Sequence, residues 1–114
     1  YQNAIGKLKE FKTKDLLVGS SKYSSLGDAY SENGEYEVAI KYYLDGAEKF
    51  VNKFSTPILL KKAALAYEEL KKYDQSLKIY SKIKKSLLCI IQKTIKLVFY
   101  NLKIYYPIVK SQSL

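Results

Sequence analysis

The chain has 114 residues, 47% hydrophobic and 27% charged, proportions that suit one folded domain and exclude a disordered segment. All 20 basic residues are Lys, and Arg, His, Trp and Met are absent, which removes the commonest general base and the commonest metal ligand. The net charge of +9 is uneven: residues 1–74 hold 12 Lys and 11 acids, residues 75–114 hold 8 Lys and no acid, and without Arg this excess argues against nucleic acid as the partner.

Residues 1–11 place Tyr1, Ala4, Ile5 and Leu8 at i, i+3, i+4 and i+7, one face of a helix. This helix reads as the second member of a hairpin whose first member is missing. Its inner face needs cover, so at least one further helix is expected before Tyr1. A chain that starts on Tyr and contains no Met is expected to be a fragment or a processed product. Lys12 to Gly19 is expected to be a connecting loop.

The next segment repeats the helical spacing with Tyr23, Leu26, Gly27 and Tyr30. Asn33-Gly34 closes it, because Gly adopts the left-handed conformation that ends helices. Tyr36, Ala39, Ile40 and Tyr43 then repeat the pattern of Tyr1, Ala4, Ile5 and Leu8, 35 residues on. A second round follows at 37 residues: Leu60, Ala63, Ala64 and Tyr67, a turn at Lys71-Lys72, then Tyr73, Ser76, Leu77 and Tyr80. The unit is therefore helix A, a short turn and helix B. Small residues (Gly27 and Ala64 on the A helices, Ala39 and Ser76 on the B helices) are expected to let the helices approach. Tyr30, Tyr43, Tyr67 and Tyr80 are expected to fill the volume around each crossing.

Tyr23-x2-Leu26-Gly27-x2-Tyr30 followed by Ala39 and Tyr43 resembles the tetratricopeptide repeat, with Tyr where that family commonly has Trp. The second unit is looser, with Ala64 for Gly and Ser76 for Ala. Val51 and Leu88 stand where the family has a closing Pro, and Phe50 to Thr56 is about three residues longer than the consensus connection. The chain is also similar to small bacterial proteins of this kind, some of which carry a membrane anchor upstream. The resemblance implies an all-α fold, an α-solenoid of antiparallel helix pairs over residues 1–85. It would hold the orphan helix B at 1–11, repeats at 19–50 and 57–85, and a C-terminal cap. It also implies that helix A lines a concave groove. The groove positions carried over are Ser21, Ser24, Asp28 and Ser31 in the first unit and Ile58, Lys61, Leu65 and Glu68 in the second. A clamp for a partner's C-terminal carboxylate, as some members have, is disfavoured, since Asp28 stands where Asn is wanted.

Residues 86–114 are apolar and basic, and three readings stand side by side. A capping helix would show an outer face of Gln92, Lys93, Lys96 and Lys103. A membrane contact is the second, although those lysines argue against a span. The third is an aberrant ending, since acids vanish after Lys85 as in an out-of-frame reading of AT-rich DNA. Pro107 is expected to end whatever helix reaches it.

No catalytic constellation is present. Without His there is no Ser-His or Cys-His pair, and Cys89, set in an apolar run, reads as an inert core residue. Glu35/Glu37 and Glu68-Glu69 read as solvated faces. No phosphate loop, metal cluster or dinucleotide motif occurs, so no enzyme, cofactor or small-molecule substrate is expected. The expected partner is a protein or peptide held in the groove. Self-association, or membrane-surface contact through the Lys-rich tail or an upstream anchor, is the alternative. A lone Cys suits a reducing, cytoplasmic setting.

Overall fold

The computed structural model describes the backbone of residues 2–112 and the side chains of residues 2–102. The fold is all-α, with five helices: α1 (Gln2–Glu10), α2 (Leu16–Glu32), α3 (Tyr36–Lys49), α4 (Ser55–Glu69) and α5 (Tyr73–Gln112). No strand occurs among the described residues. The chain divides into two compact units, Tyr1–Ile83 and Lys84–Leu114.

Short polar side chains set the start of α2 and organise the approach to α4. Asp15 accepts from the N–H groups of Leu17 and Val18, both at 2.9 Å, and so satisfies two donors that the first turn of α2 leaves free. The connection expected over Lys12 to Gly19 is therefore shorter, because capping by Asp15 starts the helix at Leu16. Before α4, Asn52 Oδ1 accepts from the N–H groups of Phe54 (3.0 Å) and Ser55 (2.7 Å), which organises the long connection. Pro57 lies in the first turn of α4, where its missing N–H breaks no helical bond.

The ends of α2 and α4 are built alike. After α2, Gly34 takes φ +79°, its N–H donates to Ser31 O (3.0 Å), and the Glu35 N–H donates to Tyr30 O (2.9 Å). After α4, Lys71 takes φ +58°, with Lys71 N–H on Glu68 O and Lys72 N–H on Tyr67 O, both at 2.9 Å. Both are the paired closing bonds that satisfy the last carbonyls of a helix. The 37-residue offset between Gly34 and Lys71 matches the offset of the helices before them.

In the first unit α2 packs on α3, α3 on α4, α1 on α2, and α2 also meets α4. The core holds Leu26, Ala39, Ile40, Tyr43, Leu59, Ala63, Ala64 and Ile79, with Ile5 from α1. All four small residues named above are buried. The approach of α2 and α3 is tightest where rings meet glycine. A Cβ on Gly27 would lie 2.2 Å from the Tyr43 ring, and one on Gly19 2.2 Å from the Phe50 ring. Gly46 of α3 gives the reverse contact, since its Cβ would lie 2.5 Å from Tyr23 Cβ. Gly27 thus faces the Tyr43 ring, a small residue seating a large one. Tyr30 stacks on Tyr42 with centroids 5.3 Å apart, and Lys9 of α1 lies 5.5 Å from the Tyr30 ring centre.

Several expectations need correction. Leu77 matches Ile5 and Ile40 in the repeat, yet it is 63% exposed where they are buried, because among the described residues none covers that side of α5. Cys89 is exposed rather than in a core. Helix α5 runs through Lys85 without a break and continues past Pro107 to Gln112. Proline removes only its own N–H and crowds one carbonyl, so it kinks or weakens a helix without forbidding the turn beyond it. In the second unit every described side chain from Lys84 to Leu102 is exposed. Tyr1, and the side chain of Lys103 expected on an outer polar face, lie outside the described residues.

Two substitutions test this account. Lys71→Gly removes the strain of a side chain at positive φ and should raise stability by about 1 kcal/mol, read as a higher urea midpoint at unchanged slope. Gly27→Ala should cost about 1–3 kcal/mol through overpacking against Tyr43, and pairing it with Tyr43→Leu should recover part of the loss.

Candidate functional site

Helices α2 and α4 lie side by side, and the charged groups between them are already engaged. The Lys62 ammonium donates to both Asp28 oxygens, at 2.7 and 3.0 Å, and to Ser24 Oγ at 2.8 Å. The Tyr43 hydroxyl reaches across from α3 and donates to Asp28 Oδ1 at 2.7 Å. Lys62 also lies 5.9 Å from the centre of the Tyr43 ring. Asp28 of α2 is thereby held from two other helices at once, α3 and α4. The Lys62 and Asp28 side chains remain 33% and 49% exposed, so solvent screening limits their ion pair to about 1 kcal/mol or less.

Burial of Tyr43, and then its bond to the Asp28 carboxylate, push the phenol well above its ordinary range. Tyr80 on α5 is shifted the same way by burial and then by Glu68. Glu68 also accepts from Ser76 Oγ at 3.0 Å. The two tyrosines, 37 residues apart, are thus both shifted upward, first by burial and then by an acid of the preceding helix.

The eight groove positions fall into three groups. Ser24 and Asp28 are tied to Lys62, and Glu68 is tied to Ser76. Ser31 and Leu65 come together in a shallow depression of about 360 Å³, shared with Tyr36, Tyr43, Lys62 and Glu69. Ser21, Ile58 and Lys61 are exposed, as is Leu65. The free chemistry of this face is therefore apolar at Ile58 and Leu65, cationic at Lys61 and anionic at Glu69. Asp28 is compensated by Lys62, so the repulsion expected for an incoming carboxylate is reduced. Lys62 is occupied in turn, its ammonium already bonded to both Asp28 oxygens and to Ser24.

Lys62 and the Tyr43 hydroxyl were not among the expected site residues. A buried Tyr needs an acceptor for its O–H, and Asp28 is the acid on the facing helix, so that bond had a signal in the sequence. The role of Lys62 had none, because it depends on α4 lying beside α2. Among the described residues no three His, Cys, Asp or Glu side chains gather where they could hold a metal ion. Nor is any described helix long and apolar enough to cross a membrane.

In comparisons with protein-family models, curated proteins and solved structures, nothing matches this chain.

The Tyr43 shift has a signed consequence. The folded state keeps a proton that the unfolded chain releases near pH 10, so stability is unaffected below that range and falls as pH rises through it. Alkaline unfolding followed by circular dichroism should be less steep above pH ~10 in Tyr43→Phe than in the parent chain, with Tyr80, Lys9 and Lys49, which are shifted in the same direction, contributing to what remains.

Proposed function

We propose that residues 1–85 form tetratricopeptide-like helix pairs stacked as an α-solenoid, and that the face between α2 and α4 binds an extended peptide or a partner helix without catalysis. The observation that carries this reading is the repeated geometry at 37 residues. Gly34 and Lys71 close equivalent helices, and the second helix of each pair hydrogen-bonds back to an acid of the first, Tyr43 to Asp28 and Ser76 to Glu68. Such recurrence sets α2 and α4 in the same role, and two A helices side by side make a groove wall.

The groove suits a peptide that offers an apolar side chain to Ile58 and Leu65 and an acidic group to Lys61. The Asp28–Lys62–Tyr43 cluster serves as the rigid floor rather than as a contact, because its donors and acceptors are already paired. Ligand side chains would meet exposed groups whose loss costs the fold little, which separates binding from stability.

Peptides selected from a random library on the parent chain provide the test. Leu65→Glu and Lys61→Glu, both at exposed positions, should each weaken those peptides about tenfold or more with unfolding midpoints unchanged. Unaltered binding in both variants would remove the groove from consideration.

A second reading has one observation in its favour. Leu77 and Tyr73 are 63% and 57% exposed on α5, while Ile40, the counterpart of Leu77, is buried. An open end of this kind can stack on a further hairpin or on a second chain. Sedimentation across a concentration range distinguishes that self-association from groove binding.

A further inference from the structure

The second unit carries surface chemistry that the groove does not use. Ten large apolar side chains between Leu87 and Leu102 are each 45–63% exposed. At about 100° per residue, nine of them fall on one continuous arc of about 200°, running from Leu97 through Leu87, Ile91 and Ile95 to Phe99. Lys85, Gln92, Lys93 and Lys96 lie on the remaining side with Ser86, Cys89 and the tenth apolar residue, Tyr100, whose hydroxyl suits the polar level of an interface. Two polar residues interrupt the apolar arc, Thr94 and Asn101. Thr94 is already satisfied, since its hydroxyl donates to Ile90 O at 2.9 Å. Residues 84–114 contain six Lys and no acid.

These features select one kind of occupant. A coiled-coil neighbour covers a seam nearer 100° wide, so it would leave about half of this arc in water. A second copy would bring the same uncompensated lysines, and their repulsion opposes pairing. A nucleic acid would answer the charge but leave the apolar arc uncovered. No described helix is long and apolar enough to cross a bilayer. A helix with a broad apolar arc and a narrower lysine face suits the plane of a membrane interface, and its charge calls for anionic headgroups.

We propose that the segment from Leu87 to Leu102 lies in the surface of an anionic lipid bilayer. Its apolar arc sits among the upper acyl chains, and Lys85, Lys93 and Lys96 sit among the lipid phosphates. Lys84, on the apolar side just before the arc begins, reaches headgroup level with its long stem.

The test uses the full chain with vesicles of phosphatidylcholine alone and of phosphatidylcholine mixed with phosphatidylglycerol. The chain has no Trp, so Val98→Trp supplies a single emission probe on the apolar arc. Partitioning onto the anionic vesicles should be on the order of a hundredfold stronger than onto neutral ones, with a blue shift of the probe and a steep decline with salt. Lys85→Glu/Lys93→Glu/Lys96→Glu should abolish the anionic preference. Ile91→Asp/Ile95→Asp, with every lysine kept, should abolish binding and the blue shift, and circular dichroism should show the first unit still folded. Absence of binding to anionic vesicles overturns the proposal. So does binding that survives Ile91→Asp/Ile95→Asp, which would be simple charge attraction. A sedimenting dimer that Ile91→Asp/Ile95→Asp converts to monomer, with no vesicle binding by either form, overturns it in favour of a second copy.

Discussion

Aromatic rings seated on glycine hold the first unit together. At Gly19 and Gly27 of α2 the hydrogen side chain leaves room for the Phe50 and Tyr43 rings, and at Gly46 of α3 it leaves room for Tyr23. A methyl group at any of the three would lie inside the van der Waals envelope of its neighbour. Because these contacts alternate between the two helices, they fix the depth and the register of the crossing together. With α3 set, Tyr43 is buried, and a buried phenol must find an acceptor. Asp28 is that acceptor, and its charge in turn recruits Lys62 from α4. A steric requirement at one helix crossing thus leads, through one hydroxyl, to the electrostatics of the adjoining face.

The same chain of causes separates rigidity from recognition. Ser24, Asp28 and Lys62 satisfy one another and leave little hydrogen-bonding capacity for a ligand. Ile58, Lys61 and Leu65 are exposed. A peptide-binding role for this face rests on that contrast: pre-organised polar groups beneath, and unsatisfied apolar and charged groups above. The second unit has the opposite character. Its helix exposes apolar and basic side chains together, an arrangement matched to a surface that is itself apolar below and anionic above.

Much of the first unit was legible because it depends on local periodicity. The i, i+3, i+4, i+7 spacing located the helices, and the recurrence at 35 and 37 residues separated two classes of them. Gly27, Ala39, Ala64 and Ser76 were expected at close contacts, and all four are buried. Gly34 was readable as a helix end for the same local reason, since its conformation belongs to the chain and not to its neighbours. Asp15 carries a local signal of the same kind: its side chain starts α2 inside the stretch that periodicity alone reads as a loop.

What tertiary structure decided was everything that depends on which helix lies beside which. Gly19 and Gly46 gave no periodic signal, and their roles appear only when Phe50, just past the end of α3, and Tyr23 of α2 arrive against them. Leu77 carries the same pattern as Ile40 but is exposed, because burial belongs to the partner surface and not to the residue. Lys62 is one lysine among 20 until α4 settles against α2 and brings its ammonium within 2.7 Å of Asp28. Spacing along a chain determines which side chains share a face. Only packing determines what that face meets.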